Sequence, residues 1–435
     1  MPETPSSLAG ELTVLPGAPR GANLRSSRPD WVGRLTPGQP LDKLPDLLAT
    51  VFSQCGEAHR LCAHLAIEAA RGDASPVPAA ARQRLHMETL REHLRRITLD
   101  WPRRLAPSGS AESWRQRAVD DLRQAPVLPG AALDAWMQGF DALGPWLARA
   151  WLGMSAAAWL AHWQRDARGW LAQWSSSTQG WLPELLRVCR EPAEAVHGAA
   201  PALRVHDDAD QLCRFAEQLQ SGQCPAREPV WRGACAETGA WTRLAEAAPE
   251  IFDTPWLRLG ARLAEAVQLA NASTQRLAAG RLALDKNAGL AWVEMARGLL
   301  IHRVCIDGER VAHCDVIAPT EWNFHPRGAV AQGIEALAPA FSQEGVAEVL
   351  LPPSPLAGEG LGERGNSDQN DTLPSNPPPQ PPLPNPPPQG GREESGHCVA
   401  ASVSPAGASR IAALMTAYDP CVDFRVIDAQ ERAHA

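Results

Sequence analysis

The apolar positions of this chain change period several times along its length. Up to about Pro45 no period holds; Gly, Pro and Arg are frequent, and the segment reads as short strands and loops. From Leu47 to Arg71 apolar residues return at helical spacing, and a second helical run follows in AAARQRLHMETLREHLRRITLDW. Between Trp114 and Trp181, tryptophans and alanines recur as they would in a buried helix pair. Such a stripe is core packing first and a ligand platform second. Thr254–Asn287 carries a helical pattern again.

The period then shortens. GLLIHRVCIDGERVAHCDVIAPTEW reads as two strands joined at Asp307-Gly308, a hairpin over Arg303–Ile317. From 351 to about 395 the composition collapses into SNPPPQPPLPNPPPQGG, which can form polyproline II but cannot bury a core. That stretch is expected to be a disordered insertion; its alternative is a ligand for proline-reading domains. SRIAALMTAY resumes a helical pattern that ends at Asp419-Pro420. The expected organisation is a body over 1–350, the insertion over 351–395, and a segment over 396–435 that returns to the body. The fold class is mainly α with a smaller α+β portion.

Composition narrows the function classes. The chain is 44% hydrophobic and 21% charged, as a soluble globular protein is, and a net charge of -8 argues against a general nucleic-acid binder. Short basic runs such as REHLRR and WPRRL read as solvated helix faces. With no apolar run of about 18 residues, no membrane span is expected. MPETPSSLAGELTVLPG lacks the basic-then-apolar order of a secretory signal. The ten cysteines are therefore expected in a reducing cytoplasm, as buried small residues, metal ligands or nucleophiles.

Two stretches carry candidate chemistry. One holds Cys55, His59, Cys62 and His64 on the Leu47–Arg71 run, where two turns of helix place Cys55, Ala58, His59 and Cys62 on neighbouring faces. The other holds Cys421 directly after Asp419-Pro420. Taken singly, each cysteine also reads as an inert buried thiol, each histidine as a structural one, and Asp419 as a turn residue before proline. Glu92 of REHL reads as a solvated helix residue. A zinc site from Cys55, His59, Cys62 and Cys421 is a rival, although Cys-x-x-x-His-x-x-Cys is not a usual zinc spacing. Cys189, Cys213, Cys224, Cys235, Cys305, Cys314 and Cys398 show no ligand spacing.

Three separated segments resemble the large subunit of nickel–iron hydrogenases. MARGLLIHRVCIDGERVAHCDVIAPTEWNFHPRG matches its Arg-Gly, hairpin and Pro-Thr-x-Trp-Asn pattern through Arg297, Gly298, His302, Pro319, Thr320, Trp322 and Asn323. SQCGEAHRLCAHLAIEAA resembles the family's first metal motif, Cys-Gly-x-Cys-x-x-x-His, and AYDPCVDFRVI its last, Asp-Pro-Cys-x-x-Cys-x-x-His. The terminal-thiolate positions survive as Cys55 and Cys421. The metal-bridging positions are Ala58 and Phe424, the histidine positions Cys62 and Ile427, and the position of a proton-relaying glutamate is Ala9. Neither Ala nor Phe can donate an electron pair, so a binuclear centre built on bridging thiolates cannot form.

The resemblance therefore runs to the non-catalytic hydrogenase expression/formation proteins of the HupK/HoxV type. It implies a large-subunit-like helical body and a maturation scaffold or carrier for the iron half of the cofactor. The cargo would be an iron bearing cyanide and carbon monoxide, transiently bound and without nickel. Cys55 and Cys421 are the implied ligands, with Cys62 or His59 as a third. Arg297 and the backbone and hydroxyl of the Pro319-Thr320 segment would hydrogen-bond the cyanides beside Asp419, since a buried acceptor left unpaired costs about 1–3 kcal/mol. Hyp-type accessory proteins and the large-subunit precursor are the implied partners. A divergent hydrogenase-like oxidoreductase and a metal-free chaperone that mimics the large subunit are the alternatives.

Overall fold

Small residues decide how closely the chain's layers approach. The computed structural model describes residues 9–107, 109–198, 200–244, 252–271, 277–284, 287–337 and 404–427. Seven strands are found among the described residues: β1 (Leu12–Val14), β2 (Leu24–Ser26), β3 (Ala279–Leu284), β4 (Ala288–Met295), β5 (Gly298–Asp307), β6 (Arg310–Ile317) and β7 (Phe424–Val426). β3 to β6 form an antiparallel sheet in sequence order, and β2-β1-β7 form a second, smaller one. Helices make up most of the rest, so the body is mainly α with a smaller sheet portion, as expected.

The Gly56–Ala70 helix lies across the larger sheet through buried alanines, among them Ala63, Ala66 and Ala69. Gly289 on β4 meets it with no side chain. A Cβ there would fall on the Ala66 carbonyl oxygen and the Ala70 amide, and 2.8 Å from the Ala69 Cβ. The pattern over Leu47–Arg71 is not one helix. Leu44–Val51 ends at Phe52, a 3-10 turn covers Ser53–Cys55, and the second helix starts at Gly56.

The tryptophan-rich stretch is a cluster of short helices rather than a pair: Leu133–Leu147, Ala156–Arg165, Ala167–Ser177 and Trp181–Val188. Gly153 at φ +68 ends the first run after a π-helical turn, and the Asp166 side chain restarts helix by accepting the Gly169 N–H at 2.9 Å. The indoles are core: Trp159 packs on Trp163, Trp170 and Trp174 with centroids 5.7–6.3 Å apart.

The helical reading of Thr254–Asn287 ran too far. Pro255–Asn271 is helix, nearly every residue of it buried, but Ala279–Leu284 is the edge strand β3. AGRLAL fits either period, and pairing with β4 decides it. The hairpin at Asp307-Gly308 is present, with β5 beginning at Gly298 rather than Arg303 and a bulge at Cys305/Ile306. After residue 403 the Pro405–Tyr418 helix packs on Pro255–Asn271, and β7 runs parallel to β1 in register Leu12↔Phe424. The Pro-rich insertion expected over 351–395, and Cys398, lie outside the described residues. Among the described residues, no helix is long and apolar enough to cross a membrane.

Gly289→Ala is expected to destabilise the protein by about 1–3 kcal/mol or more, because helix backbone rather than a flexible side chain must give way. Urea unfolding with an unchanged m-value checks it.

Candidate functional site

Gly56–Ala70 begins with amide groups that no preceding turn can satisfy. Cys55 stands at its N-cap position, but its side chain makes no capping bond. Glu88 of the Ala79–Arg95 helix supplies the acceptor instead, taking the Glu57 N–H at 2.8 Å and the Ala58 N–H at 2.9 Å. The Cys55 thiol is thereby left free. Burial pushes it well above the usual thiol range, while the nearby Arg297 pulls it down. Glu88 is itself contested. Burial raises it to about 7, against the pull of its two amide donors.

Arg297 reaches the site from the two-residue loop Ala296-Arg297 that joins β4 to β5. Asn323 props this loop. It holds the Thr238 backbone with bonds of 2.9 and 2.8 Å, and Thr238 Oγ1 accepts the Leu299 N–H at 2.9 Å. The Arg297 guanidinium is fully buried. Its Nη2 donates to Glu92 Oε1 at 2.6 Å and to Gln54 Oε1 at 3.0 Å, and its Nε lies 3.4 Å from Asp419 Oδ2. Its Nη1 has no acceptor among the described residues.

Glu92 was read as a solvated helix residue, and the structure corrects this. It is 4% exposed and also binds Arg95 and Arg96, because the helix carrying it is buried from Leu85 to Leu94 on nearly all sides. Its carboxyl is held well below the usual range against the cost of burial, by Arg297 first and Arg96 second.

Asp419 ends the Pro405–Tyr418 helix in left-handed backbone, φ 55, a conformation Asp tolerates better than most side chains. Its carboxylate meets Arg96 Nε and Arg262 Nη1, each at 3.1 Å, as well as Arg297. These three cations hold it far below the usual carboxylate range despite full burial. The Arg297–Asp419 pair implied by the resemblance is thus the centre of a larger ionic cluster.

Cys421 follows two residues later. Its Sγ lies 3.7 Å from Thr320 Oγ1, and Arg28 Nη1 donates to it at 3.5 Å. Thr320 and Pro319 open the short Pro319–Asn323 helix. Gln54, next to Cys55, accepts from Arg297, and Asp419, two residues before Cys421, pairs with it, so the two cysteine segments are anchored to one guanidinium.

The other candidates point elsewhere. Cys62 turns its thiol to the sheet, against the Ala291 carbonyl at 3.4 Å. His59 stacks on Phe52 at 4.1 Å, and its Nδ1 lies 3.2 Å from His302 Nε2. Burial keeps both rings neutral, pushing His302 down to about 3. At the two bridging positions, Ala58 is fully buried and Phe424 lies under the Arg104 guanidinium, 5.3 Å from it. Among the described residues, no three His, Cys, Asp or Glu side chains converge where a metal ion could sit.

Sequence reasoning missed Arg28, Gln54, Glu88, Arg96 and Arg262. Gln54 stands beside Cys55 in SQCGEAHRLCAHLAIEAA, and Glu88 and Arg96 lie in AAARQRLHMETLREHLRRITLDW, but spacing gives none of the five a role; their tertiary contacts do.

The hydrogenase expression/formation protein HoxV of Cupriavidus necator is 40% identical to this chain over 350 residues, covering 77% of this chain and 89% of HoxV. HupK of Bradyrhizobium diazoefficiens is 33% identical over 335 residues, covering 73% and 85%. HupK of Rhizobium leguminosarum bv. viciae is 30% identical over 319 residues, covering 70% and 81%. No family model matches the chain. Among solved structures, an NAD+-reducing [NiFe]-hydrogenase in the H2-reduced state aligns over 92% of this chain and 91% of that one, at 15% identity and a TM-score of 0.48.

Asp419→Asn keeps the shape but takes from Arg262 its carboxylate and from Arg96 and Arg297 one of the carboxylates they hold, so a loss of about 3–5 kcal/mol is expected by urea unfolding. Glu88 generates a pH signature. The folded protein keeps its proton up to about 7, whereas an unfolded chain releases it near 4.5. Between those values the native state binds more protons, so stability falls as pH rises. Glu88→Gln should gain on the parent by up to about 3 kcal/mol between pH 5 and pH 8. A pH-independent difference would mean that the amide donors cancel the effect of burial.

Proposed function

The chain belongs to the HoxV/HupK family of hydrogenase expression/formation proteins, and from that premise we propose that it is a scaffold or carrier for the iron–cyanide–carbonyl part of the nickel–iron cofactor. One observation carries the reading. Gln54 beside Cys55 and Asp419 two residues before Cys421 both hold Arg297, whose buried Nη1 has no acceptor among the described residues, while the positions the resemblance assigns to bridging thiolates hold Ala58 and Phe424.

The chemistry follows from the donors. Thiolates are soft ligands suited to an iron that already carries strong-field cyanide and carbonyl groups. Arg297 Nη1 and the Thr320 hydroxyl are the donors for cyanide nitrogens, and the Pro319-Thr320 backbone lies beside them. Burial keeps the Cys55 thiol protonated in the empty protein, so loading must displace that proton. Cys62 and His59, read from the sequence as a third ligand, would each have to leave a present partner. The reading therefore rests on two protein sulfurs. Two thiolates hold such a unit less firmly than four, which suits a protein that gives its cargo up. Positions 58 and 424 offer no donor for nickel, and the protein works as a non-catalytic cytoplasmic factor between Hyp-type accessory proteins and the large-subunit precursor.

Protein purified without air is expected to carry iron with cyanide and carbonyl infrared bands. Cys421→Ala and Cys55→Ala should each lose about nine-tenths of both signals, a cost of about 1.4 kcal/mol or more. Unchanged iron and bands in both variants would remove these sulfurs from the account. Hydrogenase maturation supported by a doubly substituted chain would favour the metal-free chaperone.

A further inference from the structure

The smaller sheet brings Arg28 to Cys421. β2 runs antiparallel to β1 and β7 parallel to it, with Leu12 paired to both Ser26 and Phe424. Residues just after β2 and just before β7 therefore emerge at the same end of β1. Arg28 and Cys421 are those residues. Gly10 makes the approach possible: its φ is +74, and a Cβ on it would lie 2.6 Å from the Arg28 Cα. The Arg28 carbonyl is pinned in turn by Arg227 Nη2 at 2.5 Å.

Arg28 Nε donates to Ser26 Oγ at 3.1 Å, and its two terminal nitrogens are spent on three acceptors around the proposed cargo site. Nη2 donates to Glu321 Oε2 at 2.6 Å, and Nη1 donates to Thr320 Oγ1 at 3.1 Å and to Cys421 Sγ at 3.5 Å. A hydroxyl has one proton to give and two lone pairs to accept with, and a guanidinium only donates. Arg28 thus fills an acceptor direction of Thr320 Oγ1 and leaves the hydroxyl proton to be donated elsewhere.

Resting on the carrier reading above, we propose that Arg28 is a positioning residue: it clamps Thr320 and Cys421 together so that the hydroxyl proton is presented to a cyanide nitrogen of the cargo while the sulfur holds the iron. Arg28 does not touch the cargo. It acts through the two groups that do.

The test uses the full chain purified without air, with iron content after gel filtration and the cyanide infrared bands as readouts. Arg28→Ala should lower retained iron about tenfold, the value of one charge-assisted hydrogen bond, and displace a cyanide band. Thr320→Val should displace the same band, and the double variant should be no worse than the weaker single variant, because both substitutions remove one interaction. Arg28→Lys keeps the charge but cannot span three acceptors, so it should recover part of the iron with the band still displaced. Parent-like bands and iron in Arg28→Ala, or additive losses in the double variant, would overturn the clamp alone. A parent protein without cyanide bands would overturn the carrier reading and the clamp with it.

Discussion

Asp419 cannot stay ionised inside the protein unless cations reach it, and the three that do come from separate elements. Arg96 stands at the π-helical turn after Ala79–Arg95, Arg262 on the central helix, and Arg297 on the β4–β5 loop. An unpaired buried charge costs several kcal/mol, so displacing any one element leaves charges uncompensated. The C-terminal helix is therefore tied into the body at its last residue, and Cys421 goes with it. Gln54 ties Cys55 in the same way, its side chain accepting from both Arg96 and Arg297 at 3.1 and 3.0 Å. Both cysteine segments are thus anchored to the same guanidinium.

Stability alone does not account for so large a buried ionic cluster. Well-packed apolar residues of similar volume are often as stabilising as a buried ion pair. What they cannot supply is a fixed donor beside two sulfurs. Glu92 and Gln54 hydrogen-bond Arg297 Nη2 and Asp419 forms an ion pair with Nε at 3.4 Å, which fixes the guanidinium while Nη1 has no acceptor among the described residues. Arg28 shows the complementary economy at the rim, with every contact fixing a group and none filling the site.

Much of this was legible in the sequence. The pattern gave the helical body, the Asp307-Gly308 hairpin and the return of the chain at SRIAALMTAY, because each depends on local period or turn chemistry. Motif likeness placed Arg297 beside Asp419. What failed was non-local. AGRLAL has no period of its own and became a strand through β4. The Gly56–Ala70 helix start is capped by Glu88 from another helix, which no local pattern announces. Glu92 looked solvated because its neighbours Arg91, Arg95 and Arg96 are charged, and only tertiary burial turns such a run into an internal network. Cys62 has the spacing of a ligand beside Cys55, yet its helix face meets the sheet, so the thiol finds backbone carbonyls.

The same packing builds Ala58 and Phe424 into the frame. Ala58 lies against the helix start that Glu88 caps, with no exposed surface. A sulfur there would have to fit beside that carboxylate. Phe424 pairs with Leu12 in the sheet that also delivers Arg28, and its ring supports the Arg104 guanidinium, which also reaches Asp423 at 3.4 Å. A cysteine at 424 would leave a void under a buried cation. The residues at 58 and 424 are thus built into the capping and sheet contacts that hold Cys55, Cys421 and Arg28 in place. Sulfurs at 58 and 424 would therefore loosen the contacts that hold the Cys55 and Cys421 segments, so the residues at these positions and the arrangement around Arg297 belong to one solution of the packing.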